Sequence, residues 1–294
     1  MNYRVTHRTT YRYSGRVSLC HNEARLLPRE TPSQFVGETK LVIEPKPAIY
    51  HERRDFFGNR VVYFSIQDLH QVLKVTATSH ITGAPRVLPP DAASPAWDEV
   101  ARVVRRLPEL GALEARQFML ESPFIRPSHE LLDYARPSFA PDRPLLEAVL
   151  DLNRRIFKDF TYDPGFSTLA TPLSQVLEER RGVCQDFAHL AIGCLRSLGL
   201  AARYVSGYLE TLPPPGKERL VGADASHAWL AVFIPGLGWV DLDPTNDCLP
   251  GERHVTLAWG RDYSDVAPLK GVMIGGGTHA LDVSVDVMPL RPAA

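Results

Sequence analysis

The chain has 294 residues and a formal net charge of −1, enough length for a full core and, as the simplest division, two domains. That near-neutral balance gives no reason to expect nucleic acid or anionic lipid as a partner, and the four cysteines (Cys20, Cys184, Cys194, Cys248) are too thinly spread for a disulfide framework or a zinc site. The N-terminus lacks an apolar signal core, and no stretch reaches the ~18 apolar residues of a membrane span, so a soluble, cytoplasmic protein without membrane contact or cofactor is expected.

Residues 1–84 alternate in the manner of strands, at Tyr3–Tyr13, Thr39–Glu44, Val61–Ile66 and Leu73–Ile81, with turn signals such as Phe57-Gly58-Asn59 between them. This predicts an N-terminal antiparallel β-sandwich. Alternating arginine and tyrosine near the N-terminus could bind a polyanion, but a half-buried strand produces the same pattern. The Pro-rich stretch Ala84–Pro95 reads as a linker.

Beyond the linker the chain turns helical. Asp142 is placed as an N-cap with Pro144 close behind, and Leu145, Val149, Leu152 and Ile156 form one apolar stripe. Thr171-Pro172 repeats the start signal, with Leu173, Val176 and Leu177 inward. Gly182 then breaks the chain, and Phe187, Leu190, Ala191, Cys194, Leu195 and Leu198 mark a helix ending at Gly199. Cys184 falls in its first turn, where unpaired N–H groups and the helix dipole favour negative charge. Cys194, on the same helix, reads as packing.

Three strand-like runs follow, Arg203–Leu209, Ala228–Ile234 and Trp239–Leu242, the last two joined by Pro235–Gly238 as a hairpin. His227 and Asp243 therefore lie on neighbouring antiparallel strands. A simple two-residue loop at Gly236-Leu237 would set Asn246 rather than Asp243 opposite His227, a slip of roughly 10 Å, so either the register is corrected or Asn246 takes the orienting role. The Pro- and Gly-rich loop over residues 211–222 is expected to border a cleft and to carry selectivity. Gly275-Gly276-Gly277 lacks the strand-to-helix setting of a nucleotide loop and reads as a turn into a last strand.

A cysteine at a helix start, a histidine opening a strand and an aspartate closing the next one form an ordered set. The thiolate is the attacking species and needs stabilisation; His227 would accept the thiol proton and return one to the leaving group, and Asp243 would hold the imidazole tautomer. Cys184 with His189 as metal ligands is a poor alternative, because their spacing puts them on different helix faces, and no metal is expected.

These residues carry a resemblance to the transglutaminase-like superfamily, in its bacterial branch with a distinct N-terminal region. The matching stretches are Arg181-Gly-Val-Cys-Gln-Asp-Phe-Ala-His189, Leu198–Gly207, His227–Phe233 and Gly238-Trp-Val-Asp-Leu-Asp-Pro-Thr-Asn246, with Asp55–Arg60 and Gly260–Pro268 extending the likeness to both ends. The resemblance implies an α+β chain: the β-sandwich at 1–84, a linker and helical segment at 85–141, and a papain-like core of helices packed on an antiparallel sheet at 142–294, with a C-terminal β tail. It also favours Asp243 over Asn246, and implies thiol chemistry on amide bonds through a Cys-His-Asp triad. Tyr162 is a candidate oxyanion donor, since relatives place an aromatic or polar donor upstream of the cysteine. The expected activity is a peptidase or amidase acting on a peptide or protein amide; transfer of the acyl group to an amine and a non-catalytic binding protein on the same fold stay open, as does the oligomeric state.

Overall fold

The computed structural model describes residues 1–84, 93–106, 110–169, 171–211 and 225–290; much of the expected linker and most of the 211–222 loop lie outside the described residues. The chain is α+β, with one curled antiparallel sheet and a helical unit built on a second sheet.

The first sheet grows from β1 (Asn2–Ala24), whose Tyr3, Val5, His7 and Thr9 are buried while Arg4 and Arg8 are exposed. Strands β2 (Gln34–Glu44), β3 (Ile49–Arg54), β4 (Arg60–Ile66) and β5 (His70–Gly83) complete the order β2-β5-β1-β4-β3. The expected sandwich is realised as this one sheet curling over Val17, Leu26, Phe64, Ile66 and Leu73. Strand β1 changes partners along its length: Asn2–Arg12 pairs with β5, and Cys20–Ala24 with β4.

Helices α1 (Trp97–Val103), α2 (Leu110–Arg116), α3 (His129–Ala135) and α4 (Leu145–Asp159) follow. The α4 stripe of Leu145, Val149, Leu152 and Ile156 is buried as its spacing predicts. Asp142, however, does not cap this helix. It adopts φ 60°, too early in the chain, and Pro144 takes the cap position. The first free N–H groups go instead to a distant segment: Leu145 donates to the Pro95 carbonyl at 2.9 Å and Leu146 to Ser94 Oγ at 2.8 Å, which satisfies the helix start equally well.

The short strands β6 (Thr161–Tyr162) and β7 (Arg181–Gly182) pair in parallel around α5 (Leu173–Glu179) and deliver the chain to α6 (Cys184–Ser197). In α5 Val176 is buried, while Leu173 and Leu177 pack partly buried against the same core. Helix α6 is buried from Asp186 to Arg196, held between α3, α4 and α5 and the second sheet. That sheet comprises β8 (Ala202–Leu209), β9 (Ala225–Ile234), β10 (Gly238–Leu242) and β11 (His254–Gly260), in the order β10-β9-β8-β11. After α7 (Tyr263–Val266), strands β12 (Leu269–Gly275) and β13 (His279–Pro289) return to pair with β1. The glycines between them, all at positive φ, make the turn read from the sequence.

The two sheets meet directly. The exposed edge of β11 is closed by two buried side-chain amides that imitate a neighbouring strand. Gln34 accepts from the Thr256 N–H and donates to its carbonyl, both at 2.8 Å, and Asn59 does the same for Trp259 at 3.0 and 2.8 Å. Tyr3, Val5, Ile81, Val285 and Val287 from the first sheet join the core that surrounds α6. Among the described residues no helix is long and apolar enough to cross a membrane.

Candidate active site

Cys184 is the first residue of α6 and is partly exposed. The helix start is fixed by Asp186, whose carboxylate accepts from the Val183 N–H at 2.8 Å. His227, on β9, is 8% exposed and faces Gly207 of β8 in register. Asp243 follows β10 and is fully buried.

The register problem resolves in the turn after β10. Strands β9 and β10 pair from Gly238↔Ile234 to Leu242↔Leu230, so the hairpin loop has three residues, and the ladder stops before it reaches His227. Asp243 instead bridges to Cys248, as expected where Pro244 denies the ladder a donor. The resulting turn folds both side chains in question back onto the imidazole. Asp243 Oδ2 lies 2.8 Å from His227 Nε2, while Asn246 Nδ2 donates to the same Oδ2 at 2.7 Å and stands 3.4 Å from the ring nitrogen. Asp243 is the direct partner and Asn246 supports it.

A second histidine completes this cluster. His254, on β11, accepts the Gly251 N–H at Nδ1 (3.3 Å), which leaves its Nε2–H to donate to Asp243 Oδ2 at 3.1 Å. The other carboxylate oxygen accepts the N–H groups of Thr245 and Asn246 at 2.9 and 3.3 Å. Burial opposes the Asp243 charge, but the donors from His227, His254 and Asn246 outweigh it and hold the carboxyl far below its usual range. For His227, burial likewise opposes the charged ring; hydrogen bonding to Asp243 and Cys184, with the charges of both, prevails and pushes it up to about 10. With Nε2 committed to Asp243, Nδ1 is the nitrogen left for the thiol. His227, Asp243 and His254 are also the one His/carboxylate group among the described residues with metal-ligand atoms converging within 4.8 Å, yet their protons are directed at one another.

Cys184 and His227 open on a cavity of about 300 Å³. Tyr204, Ser206 and Ala228 form its inner side, and the facing wall comes from the other sheet: His7, Thr9 and Tyr11 of β1 with Leu281 and Val283 of β13. A larger groove of about 910 Å³ between α3 and α5 contains none of the Cys184, His227, Asp243 set.

Two family models match this chain: the bacterial transglutaminase-like N-terminal region over residues 3–82, and the transglutaminase-like superfamily over residues 133–244. An uncharacterized protein of Mycobacterium tuberculosis is 44% identical across 98% of this chain and 93% of its own length. The chain belongs to the transglutaminase-like superfamily. A protein-glutamine gamma-glutamyltransferase of Pseudomonas aeruginosa is 30% identical over 50% of this transglutaminase-like chain and 23% of its own length. A crystal structure from Cytophaga hutchinsonii, provisionally named a cysteine protease, superposes with a TM-score of 0.73 at 21% identity, covering 100% of this chain and 92% of that one; the two share a fold.

The structure also brings in two residues of this transglutaminase-like chain that sequence reasoning passed over, His254 and Tyr204. His254 lies beyond both matched spans, on a strand whose alternation is broken by a bulge between Thr256 and Ala258. Tyr204 lines the cavity, with burial and then the Cys184 charge raising its hydroxyl well above the ordinary tyrosine value. Tyr162, paired with Gly182 through β6 and β7, is 52% exposed and packs edge-on against Phe187; burial and then the charge of Cys184 raise its hydroxyl too. His189 is no partner of Cys184: it stacks on Phe124 and accepts the Tyr263 N–H at 3.2 Å, and burial lowers it to about 4.

Trp229 forms the floor beneath the histidines, with ring centroids 6.0 Å from His227 and 5.4 Å from His254. Room for its indole depends on Gly207, where a methyl group would collide with the Trp229 ring and the Val255 carbonyl. Gly207→Ala should therefore cost about 1–3 kcal/mol, seen as a lower thermal midpoint. An unchanged midpoint would show that the floor is less tightly packed than these contacts imply.

Proposed function

We propose that this chain is a cysteine-dependent acyl-transfer enzyme acting on amide bonds, with Cys184 as nucleophile, His227 as acid and base, and Asp243 as the orienting carboxylate. The observation that supports it most is the imidazole of His227 held between Asp243 and Cys184 and favoured in its charged form, because an imidazolium beside the sulfur stabilises the attacking thiolate. In the first half-reaction the thiolate Sγ, whose proton already rests on His227, bonds to the amide carbonyl carbon. The tetrahedral oxyanion is met by the backbone N–H of Cys184 and the Tyr162 hydroxyl. Collapse breaks the C–N bond, the amine leaves with the proton from His227, and a thioester remains. Water or an amine then attacks the thioester, His227 takes its proton, and the thiolate is restored.

Hydrolysis of a peptide or protein amide is the leading reading. Transfer to an amine is the second, supported by the partial likeness to a protein-glutamine gamma-glutamyltransferase and by a site walled on two sides, which limits water. Mass spectrometry of peptide amides incubated with the enzyme, with and without a primary amine, tests both. A product 18 Da heavier in total mass, from added water, supports the hydrolase, and amine incorporation supports the transferase. Neither product across a broad peptide library leaves the binding-protein alternative.

Two labelling and substitution results should accompany this. Iodoacetamide should modify Cys184 far faster than Cys194, which is fully buried and pushed up to about 12 by that burial; equal rates would remove the activated thiol. Tyr162→Phe should lower kcat about 100- to 1000-fold with little change in KM, as loss of an oxyanion donor does. If Tyr162→Phe were silent and Tyr204→Phe produced the loss, the donor role would belong to Tyr204.

A further inference from the structure

The wall opposite Cys184 has a chemical character of its own. Residues Tyr11, Thr9 and His7 of β1 and Leu281, Val283 and Val285 of β13 are register partners, so they share one face of the sheet, while Asp282, Ser284 and Asp286 alternate to the other. Leu281 and Val283 line the cavity and are 54% and 47% exposed overall, and Leu269 and Pro268 continue the apolar lining. Exposed aliphatic side chains on a strand are commonly unremarkable when single. Here they are contiguous and face a nucleophile across a cavity of about 300 Å³, the small end of ligand-site sizes.

Apart from Cys184 and His227 themselves, the described lining of this cavity offers no formal charge to pair with a ligand. Among its described lining residues there is no aspartate, glutamate, lysine or arginine. His7, the histidine on the wall, is 2% exposed; it lies 2.9 Å from both the Tyr208 hydroxyl and Thr9 Oγ1, and burial lowers it to about 4. A charged substrate side chain would lose hydration here without gaining a partner, whereas an aliphatic one would remove the Leu281 and Val283 surfaces from water.

We propose that the β1–β13 wall is the specificity surface of this site, with Leu281, Val283, Tyr11 and Leu269 receiving an uncharged aliphatic side chain on the acyl side of the amide that Cys184 attacks. This rests on the acyl-transfer reading above. It also gives the curled sheet a task at the site: the strands from the two chain ends supply selectivity, and the helix–sheet unit supplies the nucleophile.

The test uses the full chain and chloromethyl ketones of N-acetyl-leucine, N-acetyl-aspartate and N-acetyl-lysine, which alkylate the cysteine to a thioether and release chloride. Rates at Cys184 are read by peptide mass spectrometry and normalised to each reagent's rate with glutathione. The leucine reagent should react at least about tenfold faster than either charged one, the discrimination an apolar pocket achieves. Leu281→Lys should move the aspartate-to-lysine rate ratio up by about tenfold and Leu281→Glu should move it down, because each introduces one charge into the subsite. The same pair at Val283 repeats the test at a second position. Each ratio is internal to one variant, so altered thiol reactivity or partial unfolding cancels. Equal normalised rates for the three reagents, or ratios that ignore the charge introduced, would overturn the subsite. If iodoacetamide reacts rapidly with Cys184 while the reagents show no preference, only this inference fails; if Cys184 reacts no faster than Cys194, the acyl-transfer reading fails with it.

Discussion

Cys184→Ala is expected to eliminate turnover, by on the order of 10⁵-fold or more, the loss seen when a covalent nucleophile is removed. The substitution deletes one sulfur from the first position of α6 and little else. Asp186 still fixes the helix start through the Val183 N–H, alanine is the best helix former, and the fully buried apolar side chains of the helix begin at Phe187, Cys184 itself being only partly buried. The variant should therefore keep its far-UV spectrum and unfold within a few degrees of the parent. Full activity in a correctly folded Cys184→Ala protein would exclude the thioester and move the chemistry to another residue.

Asp243→Asn should lower kcat by on the order of 10⁴-fold and also destabilise the protein. Both carboxylate oxygens are in use: Oδ1 accepts two backbone N–H groups, and Oδ2 takes the contacts from His227, Asn246 and His254. An asparagine has one acceptor oxygen, so either orientation turns an NH₂ group toward donors and leaves buried partners unmet, at about 1–3 kcal/mol. The pH dependence should move with it. A raised histidine charges below its pKa and loses that charge above it, and amine release needs the charged ring as acid, so parent turnover should persist up to about pH 10. In Asp243→Asn that alkaline limit should fall toward the ordinary histidine value of 6.5. Asp241→Asn is the contrast: Asp241 accepts the Trp229 indole N–H at 3.3 Å, an amide oxygen can replace that acceptor, and the effect should stay within about tenfold. If Asp241→Asn proved the more damaging change with both proteins folded, the orienting role would have to move.

What could be read from the chain follows the range of the interactions involved. The start of α6 at Cys184 and the inward stripe of α4 depend on nearest neighbours along a helix, and periodicity exposes them. The link between His227 and Asp243 was half legible: strand order was clear, but the three-residue loop and the turn to Cys248 decide the register, and local pattern could not count them. Strand β3 is exposed throughout its length, so it carries no inward alternation to detect. Strand β1 reads as ending near Tyr13, yet it continues to Ala24 because β12 and β13, from the far end of the chain, pair along it. His254 was invisible for two reasons together, a bulged strand and a role created only by folding beside Asp243.

The pairing of Gln34 and Asn59 with β11 makes the chemistry of two amides a condition of solubility. An unsatisfied strand edge is a template for the strand of another molecule, and here it is occupied by groups that age. Conversion of Asn59 to aspartate would replace the Nδ2 donor that bonds the Trp259 carbonyl and Asp55 with a second acceptor facing them, and the edge of the strand that carries His254 would loosen. Old preparations should accordingly lose activity and begin to self-associate together, through the same few atoms.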